Sequence, residues 1–237
     1  MGEKTWERWG AAAGIAFVIL QLGGTFLYPQ QPRIDSSATT TIKWVHDNRT
    51  ALQIGAVCGL LALIALLWFV GHLRHVLERS EGHSETLSPI VFGSGIALAA
   101  LYGIGAAPLI LLTIMDGQRG GLHDAAVIRM LGDLGQAFYA PAAAVTALLM
   151  IALGIALVRG ELVARWLGYV AFVVAACNLV SVVTSVNFST YHAGAWLPVG
   201  WFAYVGFIFV ILVASISMLR RPESSRQSAE TPAFGTA

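Results

Sequence analysis

The stretch "ALQIGAVCGLLALIALLWFV", residues 51–70, decides the fold of this chain. It holds twenty consecutive residues without a charged side chain. A helix that crosses the roughly 30 Å hydrocarbon layer of a membrane needs about 20 mostly apolar residues. The stretch therefore predicts a membrane-spanning α-helix.

The rest of the chain repeats this pattern. Hydrophobic residues make up 57% of the 237 residues and charged residues 11%, against about 25% charged residues in soluble domains. The pattern predicts an all-α bundle of six transmembrane helices in one domain, 1–219, followed by a disordered cytoplasmic tail, 220–237. The predicted spans are 10–28, 51–70, 89–115, 138–158, 166–186 and 197–219.

Lysine and arginine predict the orientation, because they concentrate in cytoplasmic loops. With both termini in the cytoplasm, nine of these residues fall inside and five outside. Arginine outnumbers lysine twelve to two, a usage typical of bacteria with GC-rich genomes. We therefore expect a multi-pass protein of the bacterial plasma (inner) membrane, with the lipid bilayer as its surroundings.

Several classes of function are disfavoured. A formal net charge of +1 argues against nucleic acid as a partner, because nucleic-acid-binding proteins carry a basic patch. Cys58 and Cys177 lie in apolar runs, which favours packing over a disulfide framework, although one bridge between them is an open alternative. No nucleotide-binding loop and no nucleophile elbow is present, so we expect no cofactor.

The third span carries small residues four apart. In "FGSGIALAALYGIGAAP", Gly95, Ala99, Gly103 and Ala107 form one stripe, which lets another helix approach closely. We interpret this stripe as a seam between helices of the same chain. Contact with a second copy or with a membrane partner is the alternative.

A polar stretch, "RMLGDLGQAFYAP" (129–141), precedes the fourth span, and its spacing predicts one helix that continues into that span. Arg129, Asp133 and Gln136 share a face, and Tyr139 follows. Two interpretations stand: a surface ion pair between Arg129 and Asp133, or the wall of an outward-facing cavity. Asp133 is the residue on which a site would centre.

The fifth span carries a second polar stripe that includes Asn178 and Ser181. Hydrogen bonds to neighbouring helices or to their own helix backbone are the simpler interpretation, and a polar cavity wall is the other. Ser36 or Ser37 is predicted to cap a short helix after the first span. This short helix would lie in the membrane interface and cover the outer opening of the bundle.

Three histidines lie in the predicted outer loops. His46, His123 and His192 could converge on a metal ion, but their spacing matches no metal-binding signature. They would be the ligands if this chain were a metal-dependent membrane hydrolase.

The chain resembles a large group of uncharacterised bacterial six-pass integral membrane proteins, defined as a domain of unknown function. The resemblance rests on the first span, on "ATTTIKWVHDNRTALQIG" (38–55) and on "ALGIALVRGELVARWLGYVAFV" (152–173), with Arg165, Leu167 and Gly168 at its turn. Ala164 stands where that group has a proline. The resemblance implies the six-pass fold and no activity.

Together these patterns favour a non-enzymatic protein that binds an apolar or amphipathic small molecule, for transport or sensing, through an outward-facing cavity. The candidate cavity residues are Arg129, Asp133, Gln136, Tyr139, Asn178 and Ser181. An accessory subunit of a membrane complex is the alternative, and the metal-dependent hydrolase ranks last.

Overall fold

The computed structural model describes residues 3–32, 36–81, 86–117, 124–159, 164–186 and 197–220. Nearly all of the predicted tail lies outside these residues. Within them the chain is helical and contains no strand. The helices are α1 (Glu3–Leu27), α2 (Ala38–Glu81), α3 (Leu87–Asp116), α4 (Ala125–Ala137), α5 (Tyr139–Arg159), α6 (Arg165–Val186) and α7 (Leu197–Leu219).

Six stretches of helix are long and apolar enough to cross a membrane, with α4 and α5 together forming one of them. Only helices and closed barrels satisfy every backbone hydrogen bond within lipid, so long apolar segments without β patterning fold as helices. The prediction of an all-α bundle of six helices is confirmed.

The six spans form a closed ring. Each packs against two neighbours in the order α1, α2, α3, α5, α6, α7 and back to α1. Helix α4 lies outside this order and packs mainly against α3 and α2. We call the end of the ring at which α4 lies the α4 end, and the opposite end the closed end.

The main hydrophobic core fills the closed end. Its most buried members include Leu66 and Phe69 of α2, Leu153 of α5 and Val210 of α7, each completely shielded from solvent. A smaller cluster lies at the α4 end, where Val45 and Leu52 of α2 meet Leu112 of α3 and Ile128 and Leu131 of α4. The closed end is therefore packed through its centre.

Helix α2 corrects one prediction. The segment expected to form a separate interfacial helix is the first part of α2, which runs without a break from Ala38 to Glu81. Neither proline nor a turn signal interrupts it, so nothing in the backbone stops the helix at the membrane surface. The predicted cap is confirmed at Ser37, whose Oγ accepts a hydrogen bond from the Thr40 N–H at 3.2 Å.

The helix that precedes the fourth span corrects a second prediction. The predicted continuous helix is interrupted at Phe138, between α4 and α5. Pro141 explains the break, because it has no N–H to bond the Ala137 carbonyl and its ring clashes with that carbonyl. Helix α4 is held at its start by Asp124, whose Oδ1 accepts the Ala126 N–H at 2.9 Å.

Candidate functional site

A cavity of about 990 Å³ lies inside the ring of spans at the α4 end. All seven helices and residues 28–32 contribute to its wall. Along α3 the wall runs from Thr113 to Leu101, about 18 Å at 1.5 Å per residue. We call this space the central cavity, and its depth is more than half the roughly 30 Å thickness of a hydrocarbon layer.

The wall of the central cavity carries no charge. Among its described residues there is no aspartate, glutamate, lysine, arginine or histidine. An unpaired charge is costly in a low-dielectric space, so this wall disfavours a charged occupant. Neutral hydrogen-bonding groups are nevertheless present: Gln21, Thr25, Tyr28, Gln30, Gln31, Tyr102, Thr113, Gln136, Tyr139, Thr146, Asn178, Ser181, Ser185, Trp201 and Tyr204.

Four tyrosines provide much of this hydrogen-bonding capacity. Tyr28, Tyr102, Tyr139 and Tyr204 all line the central cavity. Tyr204 and Thr25 share a hydrogen bond of 2.5 Å, which links α7 to α1. Burial raises the pKa of Tyr28 above its ordinary range, and the nearby Tyr139 adds to the rise. The Tyr28 hydroxyl therefore stays protonated and able to donate.

The polar stripe of α6 faces the central cavity. Asn178 Nδ2 donates to the Val174 carbonyl at 2.9 Å, and Ser181 Oγ donates to the Cys177 carbonyl at 2.9 Å. Both residues also line the cavity. Hydrogen bonding to the helix backbone and a position in the cavity wall thus occur together at these two residues.

The mouth of the cavity is bordered by α4 and by residues 28–32. Gln31 Nε2 donates to the Gly132 carbonyl and Gln136 Nε2 donates to the Pro32 carbonyl, both at 3.3 Å. These two bonds run in opposite directions between the segment and α4. They hold the segment that follows α1 against the helix that precedes α5.

Close backbone contact fixes α4 on the ring. A Cβ atom placed on Gly135 would lie 3.1 Å from the Gly105 carbonyl oxygen, and one on Gly105 would lie 3.1 Å from Phe138 Cβ. A Cβ on Gly132 would lie 3.4 Å from Thr41 Cγ2 of α2. The glycines beside Asp133 thus let α4 approach α2 and α3 closely.

The predicted cavity residues separate into two groups. Gln136, Tyr139, Asn178 and Ser181 line the central cavity, and the Tyr139 side chain is 47% exposed. Arg129 has an exposed side chain and Asp133 is half-buried on α4. Neither of these two is among the lining residues in the described part of the chain.

The sequence did not single out Tyr102, Tyr204, Gln21 or Thr25 as site residues. Tyr102 lies within the small-residue span, where nothing in the sequence distinguishes a side chain that faces the interior from one that faces lipid. Gln21 gave the only signal, since a glutamine inside an apolar span is costly unless it has a partner or borders a cavity.

Of the three histidines predicted to converge on a metal ion, only His46 lies within the described residues. His46 is exposed, and its Nδ1 lies 3.3 Å from Asp116 Oδ1 at the end of α3. His123 and His192 lie outside the described residues. Among the residues described, no group of three histidine, cysteine or acidic side chains could hold a metal ion.

The small-residue stripe of α3 faces α2 along most of its length. A Cβ atom on Gly95 would overlap Val70, and one on Gly103 would lie 3.5 Å from Leu63 Cδ1. Ala99 is buried and Ala107 is exposed. At Gly95 and Gly103 the stripe therefore serves packing within the chain.

Comparison with known proteins gives one match. A family model described as "Domain of unknown function (DUF4386)" matches residues 12–219. Comparisons with curated proteins and with solved structures found no match. The resemblance inferred from the first span and from the turn at Arg165 is thereby confirmed.

Proposed function

We propose that this chain, which belongs to the family of the domain of unknown function DUF4386, binds an uncharged apolar or amphipathic small molecule in its central cavity. One observation supports the proposal above the others. A cavity of about 990 Å³ lies within a bundle of membrane-spanning helices, and its described wall contains no charged side chain.

The size of the cavity supports an occupant. Ligand pockets are usually about 300–1,000 Å³, and protein interiors are otherwise packed as densely as organic crystals. A molecule that fills a space of about 990 Å³ would make many dispersion contacts with its wall and so stabilise the fold.

The chemistry of the wall supports an uncharged occupant. Aliphatic and small residues form most of it, and neutral hydroxyl and amide groups are distributed among them. Such a wall matches a molecule with an extended apolar body and few polar atoms. Binding of this kind is the step that transport and sensing share.

We also propose that the α4 end faces the outside of a bacterial inner membrane. The distribution of lysine and arginine supports this orientation, since the five on the predicted outer side include Arg49 and Arg129 and nine lie on the other. A cysteine-free background tests it, with Arg129→Cys at the α4 end or Arg159→Cys at the closed end. A membrane-impermeant maleimide applied to intact cells should label only the first variant, and labelling of only the second would reverse the orientation.

Native mass spectrometry of the full chain, purified in a mild detergent, tests the binding proposal. We expect an adduct of a few hundred daltons on the wild-type protein. Gly59→Phe should reduce its occupancy about tenfold, because overpacking typically costs about 1–3 kcal/mol. Gly59 lines the cavity and has no atom within 4 Å of a Cβ placed on it, so the variant should fold.

Gly71→Phe is the matched control. Gly71 lies twelve residues further along α2, also has nothing within 4 Å of its Cβ position, and does not line the cavity in the described structure. We expect it to keep the adduct. Equal occupancy in Gly59→Phe and wild type, or a bare wild-type protein after incubation with a membrane lipid extract, would contradict the proposal.

A further inference from the structure

One wall of the central cavity is entirely apolar. Helix α2 contributes only aliphatic side chains and glycines to the lining, and no polar side chain. We call these residues the α2 wall: Leu52, Gly55, Ala56, Gly59, Leu60 and Leu63. This wall offers dispersion contacts and apolar burial but no side-chain hydrogen bond to a ligand.

The α6 wall has the opposite character. Its described lining residues are Asn178, Ser181 and Ser185, all polar. In the ring, α2 and α6 stand three positions apart in either direction, so they face each other across the centre. A molecule in the cavity therefore meets hydrocarbon on one side and hydrogen-bonding groups on the other.

The hydrogen bonds of the α6 wall show what it can still bind. The Ser181 hydroxyl donates its single proton to the Cys177 carbonyl, because a backbone carbonyl only accepts. The lone pairs of the Ser181 oxygen remain available to accept another hydrogen bond. Asn178 donates one side-chain N–H to the Val174 carbonyl, and its side-chain oxygen and second N–H remain available. The groups that remain on these two residues are mainly acceptors.

From these observations we infer that the central cavity takes an uncharged lipid alcohol, whose hydroxyl donates to Ser181 of the α6 wall and whose hydrocarbon lies on the α2 wall. The inference rests on the binding function proposed above and specifies its ligand class. A ketone or an ether cannot donate to these acceptors. An amine or a carboxylic acid would bring a charge that the described lining does not balance.

A matched set of probes tests the inference on the full chain in a mild detergent. The set consists of farnesol, its methyl ether, the hydrocarbon farnesene and farnesoic acid, with affinity measured from the ligand-dependent rise in unfolding temperature. We expect farnesol to bind at least about fivefold more tightly than the ether, as the loss of one hydrogen bond predicts. Farnesoic acid should bind most weakly.

Two variants of α6 test where the hydroxyl of the ligand binds. Ser181→Ala should weaken the binding of farnesol about fivefold and leave the binding of farnesene unchanged, since the variant removes only an acceptor for the alcohol. Thr184→Val is the control, because Thr184 bonds its own helix backbone in the same way, 3.0 Å from the Val180 carbonyl, without lining the cavity in the described structure. Thr184→Val should leave the affinities for farnesol and farnesene unchanged.

The outcomes separate the inference from the proposed function. Equal binding of farnesol, ether and hydrocarbon would overturn the inference and leave cavity binding intact. Tight binding of farnesoic acid, or equal effects of Ser181→Ala and Thr184→Val, would also overturn it. If no probe binds, the inference fails, and the adduct experiment with Gly59→Phe decides the proposed function separately.

Discussion

Glycines in two parts of the bundle serve opposite purposes. In the core of the closed end a Cβ atom on Gly14 would lie 2.6 Å from Phe69 Cδ2, and one on Gly168 would lie 2.8 Å from the Gly154 carbonyl oxygen. In the wall of the central cavity a Cβ on Gly59 would meet nothing within 4 Å. Glycine thus brings helices into contact at the first two positions and leaves space at the third.

This difference shows why glycine content does not predict packing in a membrane bundle. Small residues allow helices to approach closely, and this approach drives association in lipid. The same absence of a side chain enlarges a cavity wherever the facing helix is held away by other contacts. The helix that faces the glycine, often far away in sequence, decides between the two uses.

The largest expected effect comes from Gly168→Val at the closed end. The added atoms would meet the Gly154 carbonyl and the Val158 backbone nitrogen, and backbone atoms cannot move aside as a flexible side chain can. We expect the free energy of unfolding to fall by about 3 kcal/mol. The unfolding temperature in detergent measures the change, with Gly71→Val as the control that should keep it. Equal stability of the two variants would show that the close contact at Gly168 does not contribute to the packing of the closed end.

A smaller effect is expected at the junction of α4 with the ring. Gly135→Ala would press on the Gly105 carbonyl at 3.1 Å, whereas Gly132→Ala would make an ordinary 3.4 Å contact with Thr41. In both variants the higher helix propensity of alanine stabilises the helix by about 1 kcal/mol. We expect Gly135→Ala to be less stable than Gly132→Ala by about 1–2 kcal/mol. Chemical denaturation of both variants measures the difference, and the reverse order would show that α4 is not fixed by this contact.

A third prediction concerns Tyr204 on the polar side of the cavity. Thr25 donates its own proton to the Gln21 carbonyl at 2.8 Å, so the Tyr204 hydroxyl must donate to Thr25. Tyr204→Phe should cost about 1 kcal/mol of unfolding free energy. In a double-mutant cycle with Thr25→Val the double variant should lose less than the sum of the two single losses, because both single variants remove the bond between Tyr204 and Thr25. Additive losses would mean that the bond does not hold α1 to α7.

The smallest effect is expected for Gly59→Ala. The methyl group enters the central cavity without a contact, and helix propensity improves by about 1 kcal/mol. We expect the unfolding temperature to stay the same or rise slightly. A clear fall would show that the α4 end is as tightly packed as the closed end, and the distinction between them would be lost.

The spans were predictable because lipid leaves the backbone few choices. Residues 51–70 require a helix whatever surrounds them, and the capping side chain of Ser37 acts within its own turn. The break at Phe138 was predictable in principle, since Pro141 forbids a specific hydrogen bond. The hydrophobic run that follows concealed it.

The cavity wall was predictable only where polarity repeats along one helix. Asn178 and Ser181 lie three residues apart on α6 and so share a face. On α4 the same kind of repeat grouped Arg129 and Asp133 with Gln136, of which only Gln136 lines the cavity in the described structure. Tyr102 and Gln21 are isolated within apolar spans, and their position on the wall depends on how several helices are rotated. Such rotation is set by packing among distant segments, which periodicity within one helix does not record.

The length of α2 has a mechanical consequence. Its 44 residues make a rod of about 66 Å at 1.5 Å per residue, roughly twice the thickness of the hydrocarbon layer. The rod carries the α2 wall of the cavity around its middle, from Leu52 to Leu63, and Leu77 of the closed end near its second tip. Helix α2 thus joins the wall of the central cavity and the packed core of the closed end in one unbroken element.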